Sequence, residues 1–158
     1  MSGCCDRAGA EPDDRRCPAC GERGGPVQLQ TVKAMLTEAA LRRIELTHYR
    51  FCRNGGCQVV YFGDSGDRFT TRDLRVAVWQ KQPSGARLLC YCFGENEAAI
   101  RIELLERGGS NVVNRIRQHI AAHRCACDIR NPRGVCCLGD VMAAVTRMQA
   151  ELPARKET

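Results

Sequence analysis

The apolar residues of the first half of the chain fall into short stretches separated by glycines and polar residues. These stretches predict β-strands at 27–31, 48–51, 59–62 and 74–79. Between the first two, apolar residues recur at helical spacing, which predicts a short helix over 32–43. The first half is therefore predicted to be β-rich with one helix.

The second half has helical periodicity instead. Gln82-Pro-Ser-Gly85 is the clearest linker signal in the chain. After it, Asn96 is suited to cap a helix that runs to about Arg107 and ends at two glycines. Ser110 or Asn111 can cap a second helix, and a third is predicted over 138–150.

These patterns predict an α+β fold, with a small β-rich, zinc-ribbon-like module followed by a helical module. The β-rich module is predicted over 17–82 and the helical module over 86–150. Residues 1–16 are polar and are expected to form a flexible tail, and 151–158 form a second polar tail.

The composition indicates that the two halves need stabilisation by metal ions or other cross-links. The sequence has twelve cysteines but only one Trp, three Tyr and four Phe, so each half would have a poor core by itself. The N-terminus carries acidic residues where a signal peptide would not, and no stretch approaches the ~18 apolar residues that span a membrane. We therefore expect a cytoplasmic protein without membrane insertion. Its cysteines would stay reduced and serve as metal ligands rather than disulfides.

Two short cysteine turns, Cys17-Pro-Ala-Cys20 and Cys52-x4-Cys57, are separated by thirty-one residues. Zinc binds four thiolates at about 2.3 Å in a closed tetrahedron, so this pattern predicts a structural zinc site of zinc-ribbon type. Iron in a rubredoxin-like site is an alternative, because thiolate tetrahedra accept both metals. Two unrelated turns with buried free thiols are the remaining reading.

A second group of cysteines begins with Cys90-Tyr-Cys92, just before a predicted helix. The rest of the group, between Cys125 and Cys137, precedes the last helix. Helix N-termini offer free N–H groups that stabilise thiolates and anionic clusters. Two cysteines one residue apart suit a [2Fe–2S] cluster, which needs four cysteine ligands.

Six cysteines of this group compete for four ligand positions. Cys90 and Cys92 are the first two predicted ligands. Cys127 and Cys137 are preferred as the other two, because Asn131-Pro132 and Gly134 predict a tight turn between them. It stays open whether Cys125 or Cys136 replaces one of these two as a ligand.

Four segments, taken together and in order, resemble the N-terminal domain of CopZ-type copper chaperones, which holds one zinc and one [2Fe–2S] cluster. They are Cys17-Pro-Ala-Cys20, 49–62, Cys90-Tyr-Cys92 and 131–139, and they span about residues 17–150. The second half by itself is also similar to the bacterioferritin-associated ferredoxins, which are small helical [2Fe–2S] domains.

The resemblance implies zinc on the first set of cysteines and the cluster on four of the second. The zinc ligands would be Cys17, Cys20, Cys52 and Cys57, and the cluster ligands Cys90, Cys92, Cys127 and Cys137. It also implies a role in copper homeostasis, in which one-electron transfer keeps copper as Cu(I).

The copper-binding loop of those chaperones, Met-x-Cys-x-x-Cys, does not occur in this sequence. Electron transfer and cluster chemistry are therefore the expected part of the role. Cys4 and Cys5, two adjacent soft thiols, are candidate Cu(I) ligands, and two exposed cysteines without a metal are the alternative.

The expected partner is a redox protein or a copper-handling protein, for which several arginines near the second cysteine group would offer a docking surface. No nucleophile–base set, phosphate loop or dinucleotide fingerprint occurs, so no catalytic residues are predicted. Reduction of Cu(II) is the one enzyme-like activity that the reading allows.

Two alternative functions stay open. The first is a ferredoxin-like partner of a reductase unrelated to copper. The second is a zinc-ribbon module that binds nucleic acid, which the net charge of +6 permits. The shortage of aromatic residues and the second cysteine group make nucleic-acid binding the less favoured of the two.

Overall fold

The computed structural model describes residues 15–153. Its first half is a four-stranded antiparallel sheet in sequence order: β1 (Gly24–Val27), β2 (Tyr49–Cys52), β3 (Val59–Gly63) and β4 (Arg68–Thr70). Two short helices connect β1 to β2: α1 (Leu29–Met35) and α2 (Glu38–Leu41). Val32, Leu36, Tyr61 and Phe69 are fully buried in the core between the helices and the sheet.

The second half has a two-stranded antiparallel sheet and four helices. The strands are β5 (Leu88–Cys90) and β6 (Glu95–Asn96), and the helices are α3 (Glu97–Arg107), α4 (Val112–Ala121), α5 (Cys127–Arg130) and α6 (Leu138–Glu151). Leu89, Ile100, Ile116 and Val141 form the centre of its own hydrophobic core.

The predicted α+β class, with a cysteine-bearing sheet before a helical region, is confirmed. The predicted caps are also found. Asn96 accepts a hydrogen bond from the Ala99 N–H at 2.9 Å, and Ser110 accepts one from the Val112 N–H at 3.2 Å. Gly108 ends α3 with a φ of 75°, a conformation that suits glycine.

The predicted helix over 32–43 is wrong in its bounds, because two helices occupy this region and the first begins at Leu29. The chain breaks at Leu36 and Thr37. The Thr37 N–H donates to the Asp73 carbonyl at 2.8 Å, while the Thr37 hydroxyl caps α2 by accepting from Ala40. The strand predicted over 27–31 is also wrong in its bounds, because α1 begins at Leu29 and β1 ends at Val27.

The strand predicted over 74–79 does not form, and β4 lies earlier, at Arg68–Thr70. Asp73 accepts from the Thr70 N–H at 2.8 Å and closes a tight turn that ends the strand. Only one bridge remains, in which Leu74 pairs with Leu36.

The halves contact each other directly, since α1 packs against α5. The boundaries predicted for the two modules stay a prediction, and residues 1–14 and 154–158 of the predicted tails lie outside the described residues. Among the helices of residues 15–153, none has the length and apolar character that crossing a bilayer requires.

A buried carboxylate, Glu97, connects the linker to the helices of the second half. It accepts hydrogen bonds from the Gly85 N–H at 2.8 Å and from the Arg87 side chain at 2.6 Å, and Arg147 of α6 lies 3.0 Å away. Burial raises the pKa of Glu97, but the hydrogen bonds from Arg87 and Gly85 outweigh burial and bring this pKa down to about 2. The Glu97 side chain is therefore ionised in the folded protein at neutral pH.

Replacing Glu97 with Gln is expected to lower the free energy of unfolding at pH 7 by about 3 kcal/mol, because Arg87 loses its buried counter-charge. The folded pKa lies below the ordinary value of 4.5, so this stabilisation is present above pH 4.5 and is lost as the pH falls toward 2. Urea unfolding of both proteins should thus show a difference that narrows over this range. Glu106→Gln, at an exposed position of the same helix, is the control. Equal stability of wild type and Glu97→Gln at pH 7 would contradict the assignment.

Candidate metal centres

The first set of cysteines forms one compact group. The Cys17 and Cys57 sulfurs are 3.9 Å apart, the Cys20 and Cys52 sulfurs are 3.6 Å apart, and all four lie within 4.8 Å of one another. A zinc tetrahedron with Zn–S bonds of about 2.3 Å has sulfurs about 3.8 Å apart, so the donor set fits Zn²⁺.

Backbone hydrogen bonds shape the two turns that carry these sulfurs. The Gly21 N–H donates to the Cys17 carbonyl at 2.8 Å, with Gly21 at a φ of 77°. In the second turn the Cys57 N–H donates to the Asn54 carbonyl at 3.1 Å. A side chain at Gly55 would come within 2.8 Å of the Gln80 carbonyl oxygen, so this position has no room for a Cβ. Backbone conformation and backbone hydrogen bonds therefore contribute to the shape of both turns.

The group is largely closed to solvent, since Cys17, Cys52 and Cys57 are buried and Val59 and Phe62 pack against them. Burial raises the pKa of Cys52 to about 12. A backbone hydrogen bond from Glu22 lowers the pKa of Cys20, the more exposed thiol, to about 7. Four sulfurs in a closed site leave no open coordination position for a substrate, which is typical of a structural zinc.

The second set forms two pairs rather than one group. The Cys92 and Cys127 sulfurs are 3.7 Å apart, and Cys90 and Cys137 are both buried in the core of the second half. Cys90 ends β5, Cys127 begins α5, and Cys137 precedes the first turn of α6. Within residues 15–153, the zinc set is the one group of three or more ligand side chains close enough for a single ion. Two pairs of thiols suit a centre with two metal atoms.

The two pairs differ in their surroundings. Cys137 lowers the pKa of Cys90 to about 6, and Cys90 in turn raises the pKa of Cys137. Burial raises the pKa of Cys127 to about 12. The Ala126 N–H donates to the Cys92 sulfur at 3.3 Å, and such bonds stabilise a negatively charged sulfur.

The two remaining thiols of this region lie nearby but outside the pairs. Cys125 is half-buried and Cys136 is exposed. The pairing favours Cys127 and Cys137 over these two as ligands, and that choice stays a prediction. Cys4 and Cys5, the candidate copper ligands, lie outside the described residues.

The arginines near the second set are not all available to a partner. Arg115 lies 2.8 Å from Glu95 and 2.7 Å from Glu103, and Arg133 lies 3.1 Å from Asp140. Three others on this part of the chain are exposed: Arg117, Arg124 and Arg130.

Sequence reasoning missed an aromatic stack beside the second set. The His119 ring stacks on the ring of Phe93, the residue directly after Cys92. The ring centroids are 3.8 Å apart and the angle between the ring planes is 15°. Sequence alone does not indicate this contact, because it depends on how α4 packs against the turn after β5.

Comparison with known proteins agrees with the geometry of the first site. The family model of the CopZ zinc-binding domain matches residues 14–75. This segment is a CopZ-type zinc-binding domain. The predicted similarity to CopZ is thus confirmed, and Zn²⁺ is the metal assigned to Cys17, Cys20, Cys52 and Cys57.

The similarity extends beyond the CopZ-type domain. The chain is similar to the X-ray structure of the N-terminal domain of CopZ from Archaeoglobus fulgidus, with 28% sequence identity and a TM-score of 0.65. The match covers 82% of this chain and 96% of that one. No curated protein sequence matches this chain.

Replacing Cys17 with Ser in the CopZ-type domain is expected to release zinc and to lower the free energy of unfolding by at least about 3 kcal/mol, because metal binding contributes directly to folding. Zinc analysis of the purified protein together with urea unfolding measures both effects. Cys136→Ser changes an exposed thiol outside the group and should retain zinc and stability. Full zinc content in Cys17→Ser would remove Cys17 from the ligand set.

Proposed function

We propose that this protein is a zinc-stabilised electron carrier of copper homeostasis that acts in the cytoplasm. In this proposal Cys90, Cys92, Cys127 and Cys137 hold a [2Fe–2S] cluster, and the protein donates single electrons that keep copper as Cu(I). The observation that carries the proposal is the presence of two thiol pairs outside the zinc site, with Cys92 and Cys127 already 3.7 Å apart.

The donor set supports the cluster. A [2Fe–2S] cluster takes two cysteine sulfurs at each iron, and when bound it supplies one-electron transfer. Cys90 and Cys137 are buried, whereas Cys92 and Cys127 are half-buried. The more accessible pair would face a partner, while the buried pair excludes water from its side of the site.

The role of the surrounding residues follows from their hydrogen bonds. Ala126 donates its N–H to the Cys92 sulfur at 3.3 Å, which favours the anionic form and tunes the reduction potential. The exposed arginines Arg117, Arg124 and Arg130 would attract an acidic redox partner or an acidic copper-handling protein. The link to copper is supported by the similarity to CopZ.

Metal analysis of protein purified without air tests the cluster. The expected content is about two iron, two sulfide and one zinc per chain, with a brown colour that dithionite bleaches. A colourless protein that contains zinc alone, even after attempted reconstitution with iron and sulfide, would overturn the electron-carrier proposal. This result would favour the alternative function, a zinc-ribbon module that binds nucleic acid.

The copper link has its own test. The dithionite-reduced protein, freed of reductant, is mixed with Cu(II) in the presence of a Cu(I)-specific chelator. One electron leaves each reduced cluster and each Cu(II) gains one, so the Cu(I) formed should equal the cluster oxidised. A cluster that stays reduced would remove copper from the proposal and favour a ferredoxin-like partner of another reductase.

Replacing Cys90 or Cys127 with Ser is expected to abolish iron and sulfide binding while about one zinc per chain remains, because the zinc ligands lie on other turns. The matched controls are Cys125→Ser and Cys136→Ser, which should retain the visible spectrum. A control variant that loses the cluster would show that Cys125 or Cys136 is a ligand.

A further inference from the structure

Two hydroxyl groups of the first half reach into the segment that carries two of the proposed cluster ligands. This segment, residues 127–137, is called the cysteine loop below. Thr31 of α1 donates to the Asp128 carbonyl at 2.6 Å, and Tyr61 of β3 donates to the Pro132 carbonyl at 2.5 Å. Thr31 is 1% exposed and Tyr61 is 0% exposed, so both donor residues are closed to bulk water.

The cysteine loop has internal hydrogen bonds of its own. Buried Asn131 donates to the Val135 carbonyl at 2.8 Å and accepts from the Arg133 N–H at 3.1 Å. These bonds shape the middle of the loop but do not connect it to β5, where Cys90 lies. The one-turn helix α5 is too short to be stable alone. Cys137 is buried in the same core as Cys90, but the stretch that begins at Cys127 also packs against α1. The position of Cys127 relative to Cys90 and Cys92 therefore depends in part on contacts with the first half.

The fit between Thr31 and the loop is close. Gly134 has a φ of 69°, and a Cβ at this position would lie 2.6 Å from the Thr31 hydroxyl oxygen. The glycine thus gives the loop both its turn and its room beside α1.

We propose that Thr31 and Tyr61 are positioning residues that set where the cysteine loop presents the Cys127 and Cys137 sulfurs, so that the zinc-bearing half controls the geometry of the second metal centre. The identity of the group held there rests on the proposed function. The positioning contacts do not, because they form in the protein without it.

The zinc site has a direct structural route to Tyr61. Cys52 ends β2, Cys57 precedes β3 by two residues, and Tyr61 lies in β3 opposite Phe51. A zinc ion on Cys52 and Cys57 closes the connection between these strands. Removing zinc from the full chain should therefore loosen the cysteine loop as well as the sheet.

The test uses the full chain with zinc bound and the cluster removed. Amide hydrogen exchange of residues 127–137 is measured in Tyr61→Phe and in Thr31→Val, which remove one hydroxyl each and keep nearly the same volume. Loss of one hydrogen bond to a buried carbonyl should speed exchange in the loop about tenfold. Zinc content and exchange in β2 should stay as in wild type.

Two further variants keep the test specific. Thr31→Ser retains the hydroxyl and should restore slow exchange. Tyr49→Phe makes the same chemical change in β2, where the hydroxyl contacts Glu45 and Asp67 instead of the cysteine loop, and should leave exchange in the loop unchanged. Unchanged exchange in the loop of both Tyr61→Phe and Thr31→Val would overturn the proposal, as would an equal effect of Tyr49→Phe.

Reconstituted protein gives the second readout. Tyr61→Phe and Thr31→Val should shift the visible circular dichroism and the reduction potential of the cluster and should speed its loss about tenfold. A loop that loosens in a chain that binds no cluster would support the positioning role while the proposed electron transfer fails. A cluster with wild-type spectra and potential in both variants would overturn the control of the second centre, whatever the function of that centre.

Discussion

The structure depends on holding cysteine sulfurs close together when no metal ion is bound to balance the negative charge of their ionised forms. Four sulfurs within 4.8 Å cannot all ionise, since like charges at such distances repel and burial adds to the cost. Cys90 and Cys137 show the same conflict, because their mutual influence lowers the pKa of Cys90 and raises the pKa of Cys137. The geometry must therefore come from bonds that do not involve ionised sulfur. Backbone hydrogen bonds such as Gly21 to Cys17 and Cys57 to Asn54 meet that need.

The two centres meet this constraint differently, and the difference corresponds to different chemistry. The zinc set lies on two turns of one sheet, so short-range turn geometry and the pairing of β1 with β2 are enough to close it. The second set draws on β5, the turn after it, α5 and the start of α6, which approach one another through packing of the helical core and through the contacts of Thr31 and Tyr61 with the cysteine loop. The first arrangement is compact and closed, as a structural ion requires. The second leaves two half-buried sulfurs, Cys92 and Cys127, as the proposed electron transfer to a partner requires.

Features set by local chemistry could be predicted from the sequence, and features set by packing could not. The Asn96 cap, the Gly108 stop and the clustering of Cys17, Cys20, Cys52 and Cys57 follow from residue type and spacing. The break at Thr37 depends on a hydrogen bond to Asp73, thirty-six positions away, which periodicity cannot reveal. The roles of Thr31 and Tyr61 were missed for the same reason, because a hydroxyl in an apolar stretch gives no sign of the carbonyl that it will meet.

A zinc ion remote from the second set of cysteines has a physical purpose under the proposed function. A cluster transfers electrons well when its ligands hold the same positions in both oxidation states, which requires rigid support beyond the ligands. The helical half supplies few such restraints to the cysteine loop, since α5 is a single turn. The first half supplies them through Thr31 and Tyr61, and a small unit of four short strands gains stability from a bound metal ion. Zinc at the end of β2 and before β3 stabilises the strand that carries Tyr61. The redox-inert metal thereby makes rigid the scaffold on which the second centre depends.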